Sequence, residues 1–110
     1  MTSIKRHKVI LESTGAVATG EWFELDVRYE EAGTRILQVQ VTTGDTITIQ
    51  GITQDVKGID KSFLDDLVTA DITSISAITT TDDYLLEGPW RYIRAVKTGT
   101  TGPAKVQGFI

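Results

Sequence analysis

The chain of 110 residues fits a single domain and leaves no room for a second core. Its formal net charge of -4 disfavours nucleic acid and anionic membranes as partners, because an acidic surface repels both. Cysteine is absent, which excludes disulfides, thiolate metal sites and thiol nucleophiles.

The N-terminal segment differs in charge from the rest of the chain. Lys5, Arg6 and Lys8 surround His7, so residues 1–8 are expected to form an extended basic arm. Such an arm suits docking on an acidic neighbour, including a second copy of the chain. The alternative is a solvated edge strand whose lysines discourage aggregation. The segment lacks the apolar core of a signal peptide, and no apolar run approaches the ~18 residues that span a bilayer, so synthesis in a cytoplasm is expected.

The first half of the chain reads as strands with one buried face. Lys8–Glu12 is predicted as the first strand, and a loop of small residues follows over Ser13–Gly20. Alternation with a period of two predicts strands over Glu21–Tyr29 and Thr34–Thr43, joined by a hairpin turn at Glu30–Gly33. The apolar face of the first of these two strands contains Phe23, Leu25, Val27 and Tyr29. Its opposite face contains Trp22, Glu24, Asp26 and Arg28. The inward face of the second contains Leu37, Val39 and Val41.

Further strands follow in the second half. A turn at Thr43–Asp45 leads into a predicted strand over Thr46–Gln50, with Gly51 expected to mark a bend or bulge before Ile52–Val56. Asp60–Ala70 breaks the alternation and predicts one short helical or irregular segment. The remaining predicted strands are Ile72–Thr80, Arg91–Lys97 and Ala104–Ile110.

Composition agrees with this series of strands. The chain contains 12 Ile, 9 Val and 17 Thr against 7 Leu and 7 Ala, and side chains branched at Cβ suit the pleated surface of a strand. About seven or eight short strands joined by turns are typical of a sandwich. The sequence therefore predicts an all-β protein, a single β-sandwich or jelly-roll domain over residues 1–110.

No enzyme site is expected. His7 lies in the basic arm, away from any acidic group that could orient it as a general base. The paired carboxylates Asp65-Asp66 and Asp82-Asp83 lack the alternating spacing of a calcium loop and are interpreted as solvated loop tips. We therefore predict a protein that is not an enzyme and has no catalytic, cofactor or metal-binding residues.

Two aromatic groups are candidates for contact with a partner. Trp22 and Arg28 lie on the charged face of their strand, where they suit an interface; burial of Trp22 under the Ser13–Gly20 loop is the alternative. Trp90 and Tyr92 share a face by parity, with Arg94 next on it. These three residues form either a contact patch, which would also suit a sugar, or a group in which Trp90 closes the end of the sandwich.

The last third of the chain resembles a known family. Gly88-Pro89-Trp90-Arg91-Tyr92-Ile93-Arg94-Ala95, followed by the Gly/Thr-rich turn Thr98–Gly102 and the strand Ala104–Ile110, is similar to the end of small phage virion β-sandwich proteins. Gly20–Leu25 looks like a matching early strand. These pieces cover about a third of the chain.

The resemblance implies a capsid decoration (cement) protein, which binds the major capsid protein on the outer surface of the virion and stabilises the head. Such proteins commonly assemble as homotrimers, and the host cytoplasm would be the place of synthesis. The alternative is a carbohydrate-binding or adaptor module of a phage tail or fibre. No catalytic residue comes with the family. The candidate interface residues are Lys5, Arg6, Lys8, Trp22, Arg28, Trp90, Tyr92 and Arg94.

Overall fold

A computed structural model describes residues 7–25, 35–53, 64, 67, 70–72, 75–87 and 90–110. This part of the chain contains nine strands and almost no helix. The strands are β1 (His7–Ser13), β2 (Ala18–Thr19), β3 (Phe23–Glu24), β4 (Arg35–Gln40), β5 (Thr46–Ile52), β6 (Ala70–Asp71), β7 (Asp82–Leu86), β8 (Tyr92–Thr98) and β9 (Ala104–Phe109).

The strands form two antiparallel sheets that pack as a β-sandwich, which confirms the predicted fold class. The four-stranded sheet has the order β1-β9-β4-β7. The five-stranded sheet has the order β2-β8-β5-β6, and β3 pairs with the same edge of β8 as β2.

The core lies between the sheets and follows strand alternation. Leu37 and Val39 of β4 are fully buried, while Ile36, Gln38 and Gln40 face solvent. Ile47 and Ile49 of β5 are likewise fully buried and belong to the same core cluster. Because successive side chains of a strand point to opposite faces, each strand contributes every second residue to this core.

The terminal strands also agree with the sequence. β1 and β9 pair along their whole length, except that Ile10 is inserted between Val9, which pairs with Gln107, and Leu11, which pairs with Val106. This bulge lets Ile10 and Leu11 both face the core.

The two strands that the turn at Glu30–Gly33 was expected to join as a hairpin do not pair with each other in their described residues. The turn itself lies outside the described residues, but β3 pairs with β8 in one sheet and β4 belongs to the other. Both edges of β4 are occupied, by β9 and by β7, so β4 has no free edge for β3.

The predicted strand over Ile72–Thr80 is also wrong. Ile72, Ile75 and Ile78 are all buried, a spacing of three that belongs to a turned segment and not to a strand. The N–H of Ile75 donates to the carbonyl of Ile72 at 2.9 Å, and Ile78 makes an isolated bridge to Ile47. The strand in this region is β7, which includes Asp82 and Asp83, two residues that we expected at a loop tip.

Gly51 does not bend its strand, since β5 continues through it in register with β8. Of the segment near residues 60–70, the structure describes Leu64, Leu67 and Ala70. The N–H of Leu67 donates to the carbonyl of Leu64 at 3.2 Å, which closes a turn, and the rest of that predicted segment lies outside the described residues.

Candidate functional site

The most polar part of the interior is an ion pair between Asp45 and Lys97. Both side chains are fully buried, and Lys97 Nζ lies 3.3 Å from Asp45 Oδ2. The ammonium group also donates to the carbonyl oxygens of Gly99 at 2.7 Å, Gly15 at 3.0 Å and Ala16 at 3.3 Å. Lys97 therefore ties the loop after β1 to the turn after β8.

Asp45 holds the other side of this pair. Its Oδ1 accepts a hydrogen bond from the Thr101 N–H at 3.0 Å, and its Oδ2 accepts one from the Gly102 N–H at 3.1 Å. The Thr101 N–H is the main reason that the pKa of Asp45 falls from 3.8 to about 2; burial opposes the fall, and the Gly102 N–H and Lys97 add to it. Every polar contact here supports a loop, so the pair is a structural clamp and offers no free nucleophile.

Sequence reasoning missed this clamp, although strand parity contains the signal. Asp45 has the same parity as the buried Ile47 and Ile49, and Lys97 has the same parity as the buried Ile93 and Ala95. A charged residue at a core-facing position is rarely buried unless it is paired. An aspartate directly before one strand and a lysine in the neighbouring strand, both at core-facing parity, therefore predict an ion pair.

A second, smaller apolar cluster lies on the outer face of the five-stranded sheet. Trp22, Ile52, Leu64 and Tyr92 form it, and each is at most 8% exposed. Tyr92 pairs with Ile52 across β8 and β5, and both point away from the main core. At this end of the sheet, apolar side chains therefore lie on both faces.

A bulge places Trp22 in this cluster. Thr19 pairs with Val96 and Phe23 pairs with Ile93, so three residues of the chain oppose two residues of β8. The Gly20 N–H donates to the Ala95 carbonyl at 2.8 Å, which leaves Glu21 and Trp22 together opposite Arg94.

Arg94 closes the cluster over Trp22. Its guanidinium carbon lies 4.5 Å from the centre of the Trp22 ring, and its Nε donates to Gln50 Oε1 at 2.9 Å. The predicted partner of Trp22, Arg28, lies outside the described residues. Trp22 is 8% exposed and packs in the second cluster, whereas the alternative prediction placed it under the Ser13–Gly20 loop.

Trp90 lies elsewhere. Its ring sits against Gly51, where a Cβ atom would overlap it, and packs against the main core. Its Nε1–H donates to the Glu87 carbonyl at 2.9 Å. Trp90 precedes β8 and is separated from it by a bend at Arg91, so the shared parity with Tyr92 does not give a shared face. Trp90, Tyr92 and Arg94 do not form one exposed aromatic patch.

The basic arm is only partly described. Lys5 and Arg6 lie outside the described residues. Lys8 is half-buried, with Nζ 5.7 Å from the centre of the Phe23 ring. His7 is exposed, lies edge-on to Phe109 with 5.5 Å between the ring centres, and has its Nε2 3.0 Å from Gln107 Oε1. His7 has no acidic partner in these contacts.

The described residues contain no group of three or more side chains suited to hold a metal ion. Within the same ranges, no helix has the length and apolar character needed to cross a membrane. Asp82 and Asp83 are exposed on the edge strand β7, and the Asp65-Asp66 pair lies outside the described ranges. In comparisons with known proteins, no family model, curated protein or solved structure matches this chain.

Proposed function

We propose that the chain is a phage virion structural protein, a capsid decoration (cement) protein that binds the major capsid protein and stabilises the head. It acts on the outer surface of the virion as a homotrimer and has no catalytic role. The proposal rests on the resemblance of Gly88–Ala95 and its following strand to small phage virion β-sandwich proteins.

One observation supports the proposal above the others. The segment that carries the resemblance, Asp82–Ile110, supplies β7, β8 and β9. β8 is the strand on which β2, β3 and β5 all pair, and β9 lies between β1 and β4. β8 and β9 are therefore inner strands, one in each sheet. A resemblance in this segment is a resemblance in the part of the chain on which both sheets are built. A rigid domain of this kind suits many weak copies on a lattice, where fixed geometry adds avidity.

The contact surface in this proposal is drawn from the candidate residues that reach solvent. Lys8, Trp90 and Arg94 are each half-buried, whereas Trp22 and Tyr92 are buried within the second cluster. A sugar platform has no comparable support, because Trp90 and Tyr92 pack into different clusters and Tyr92 is 5% exposed.

The test uses undecorated capsid shells and the purified full chain. We expect saturable co-sedimentation of the protein with the shells and a higher temperature of shell disruption. A Lys8→Glu variant should bind about tenfold more weakly, whereas Lys105→Glu, the same charge change outside the candidate set, should bind as the unmodified chain does. Absence of binding together with unchanged heat resistance of the shells rejects the proposal; binding to a glycan array instead would favour a tail or fibre module.

A further inference from the structure

The two sheets differ in how their outer faces are covered. The second apolar cluster lies on the five-stranded sheet, whereas the outer face of the four-stranded sheet is in solvent. Among the described residues, five large apolar side chains are exposed, and four of them lie on this face. They are Phe109 (60% exposed), Ile36 (56%), Leu85 (42%) and Val9 (38%). A contiguous exposed apolar patch on a soluble domain indicates an interaction surface.

Strand register brings three of these side chains into one line. Ile36 pairs directly with Leu85 across β4 and β7. Phe109 lies beside Ile36, because the residues next to them pair across β9 and β4. We call Leu85, Ile36 and Phe109 the apolar row. His7 pairs with Phe109 and extends this row to β1.

A polar row lies directly beside the apolar row. Gln38 pairs with Gln107 on one side and with Asp83 on the other. Gln107 Nε2 donates to Gln38 Oε1 at 2.9 Å, and Gln107 Oε1 lies 3.0 Å from His7 Nε2. Because an amide oxygen only accepts, His7 is the donor in this second contact. The chain of hydrogen bonds orients both amide groups before any ligand arrives, which lowers the entropy cost of binding.

Two polar groups of this row have hydrogen-bonding capacity to spare. Across the part of the chain that the structure describes, neither Gln38 Nε2 nor the Asp83 carboxylate makes a hydrogen bond. The amide nitrogen is a donor and the carboxylate is an acceptor, and the strand register places them opposite each other on β4 and β7. The polar row therefore offers a donor and an acceptor side by side, next to the row that contains the exposed ring of Phe109.

Both rows border one shallow depression of about 310 Å³, at the lower end of the ~300–1,000 Å³ typical of small-ligand sites. Its lining includes His7, Ile36, Gln38, Asp83, Gln107 and Phe109. The two rows measure roughly 15 Å by 7 Å between their outermost Cα atoms, because strands lie about 4.8 Å apart and alternate residues about 7 Å apart. A standard protein interface buries about 800 Å² per partner, several times this area, so the depression suits a small ligand.

The lining disfavours several classes of small ligand. A lipid chain would cover Gln38 and Asp83 without bonding to them, which costs free energy. Asp83 would repel a phosphorylated or sulfated ligand, and the described residues of the lining include no lysine or arginine. An extended peptide needs a free strand edge, whereas β4 and β9 beneath the depression are paired on both edges. A neutral molecule with hydroxyl groups and an apolar ring face fits all of these conditions.

From this chemistry we propose that the depression binds a neutral sugar, one pyranose unit of a glycan. The C–H face of the sugar ring packs on Phe109 and Ile36, since the face of an aromatic ring carries partial negative charge and attracts polarised C–H groups. Neighbouring hydroxyl groups of the sugar accept a hydrogen bond from Gln38 Nε2 and donate one to the Asp83 carboxylate.

This site goes beyond the proposed function and does not depend on it. The contact surface proposed for the capsid shell uses Lys8, Trp90 and Arg94, which do not line the depression. The site also differs from the sugar platform predicted at Trp90, Tyr92 and Arg94, because Tyr92 and Arg94 belong to β8 of the other sheet. Shell binding and sugar binding can therefore be measured separately on the same protein.

The experiment probes the full chain with an array of immobilised neutral and acidic oligosaccharides, followed by NMR titration with the neutral sugar that binds best. We expect neutral glycans to bind in preference to sulfated or sialylated ones. Phe109→Ala and Gln38→Ala should each raise the dissociation constant more than about tenfold, because each removes a whole contact with the sugar. Gln40→Ala is the matched control, since Gln40 is exposed on the same face of β4 but does not line the depression, and it should bind as the unmodified chain does.

Absence of binding to every neutral glycan would overturn the proposal, as would a preference for acidic glycans. Equal affinities for the unmodified chain, Phe109→Ala and Gln38→Ala would overturn it too, because the sugar would then bind elsewhere. Shell binding without sugar binding rejects this site and leaves the proposed function standing, whereas sugar binding without shell binding does the reverse. Circular dichroism of each variant shows that it is folded, so that loss of affinity is not loss of structure.

Discussion

At the scale of single residues, the Asp45–Lys97 pair makes stability depend on acid. The pKa of Asp45 is about 2 in the folded chain and 3.8 without these contacts. A carboxyl group whose folded pKa is depressed stabilises the fold above its unfolded pKa, and that contribution disappears as the pH falls through its folded pKa. Asp45 therefore contributes fully above about pH 5 and loses its contribution between about pH 4 and pH 2.

Comparison with Asp45→Asn isolates this contribution. The variant should melt at a lower temperature at neutral pH, because Lys97 keeps its burial but loses its negative partner. The difference in free energy of unfolding between the two proteins should then shrink as the pH falls from 4 to 2, measured by urea denaturation at each pH. A difference that stays constant through that interval would show that Asp45 does not titrate as its contacts require.

The contact between Gly51 and Trp90 gives a second prediction at this scale. A Cβ atom at position 51 would overlap the Trp90 ring, so Gly51→Ala should push the ring from the end of the sandwich and destabilise the fold by about 1–3 kcal/mol. In a Trp90→Leu background the same change should cost much less, because the ring is gone. Urea denaturation of the four proteins measures the coupling; equal costs in both backgrounds would mean that the ring is not what Gly51 accommodates.

At the scale of elements, strict alternation separates what sequence predicts from what it does not. β4, β5, β8 and β9 each bury one face against the other sheet, so a period of two identifies them. β2, β3 and β6 have two residues each, which is too short for an alternating pattern, and they are strands because they pair with β8 or β5. A period of two does not describe every buried segment. Ile72, Ile75 and Ile78 are spaced by three, which indicates a turned segment, and this segment is buried because it lies against β5.

The aromatic site follows the same division. The Gly-Pro-Trp sequence identifies Trp90 as important, and closure of the sandwich end was one of its two interpretations. Its separation from Tyr92 depends on the bend at Arg91. Trp22 faces away from Phe23 and Leu25, as parity predicts, but parity does not reveal that the second cluster covers Trp22. A bulge or bend shifts parity by one residue, so a face assigned from parity changes beyond it.

The bulge opposite Arg94 supports a prediction about deletions. Because Glu21 and Trp22 both oppose Arg94, deletion of Glu21 should leave Trp22 opposite Arg94 and Phe23 paired with Ile93. The shortened chain should fold, with a loss of about 1–2 kcal/mol, the size of an ordinary substitution. Deletion of Gln38 is the contrast: it turns the buried face of β4 outward, and β4 is paired on both edges.

Circular dichroism and urea denaturation of the two deletion variants measure this difference. We expect a cooperative unfolding transition for the chain that lacks Glu21 and none for the chain that lacks Gln38. If removal of Glu21 also abolishes cooperative unfolding, Glu21 itself is essential to the placement of Trp22. The pairing of β2 and β3 with β8 would then not be enough to explain why Trp22 is buried.

At the scale of the whole molecule, the domain has one protected sheet and one accessible sheet. The five-stranded sheet lies between the main core and the second cluster, and its central strands β5 and β8 are paired on both edges. The four-stranded sheet has one apolar face against the core and one face in solvent, with β1 and β7 at its edges. Among the strands longer than two residues, opening should therefore begin at β7, which pairs on one side only and has Leu86 as its one buried residue.

Hydrogen exchange measured by mass spectrometry tests this order. Backbone amides of β5 and β8 should exchange slowest, at a rate set by global unfolding. Among the strands longer than two residues, those of β7 should exchange first, because β7 pairs on one side only and its outer face is in solvent. Leu64→Ala removes cover from the second cluster and should destabilise the chain by about 2–4 kcal/mol while it preserves the order of exchange. If β7 is as protected as β8 at a concentration where the chain is a monomer, the solvent-facing side of the four-stranded sheet is covered within one copy, and it would then not be available to a partner.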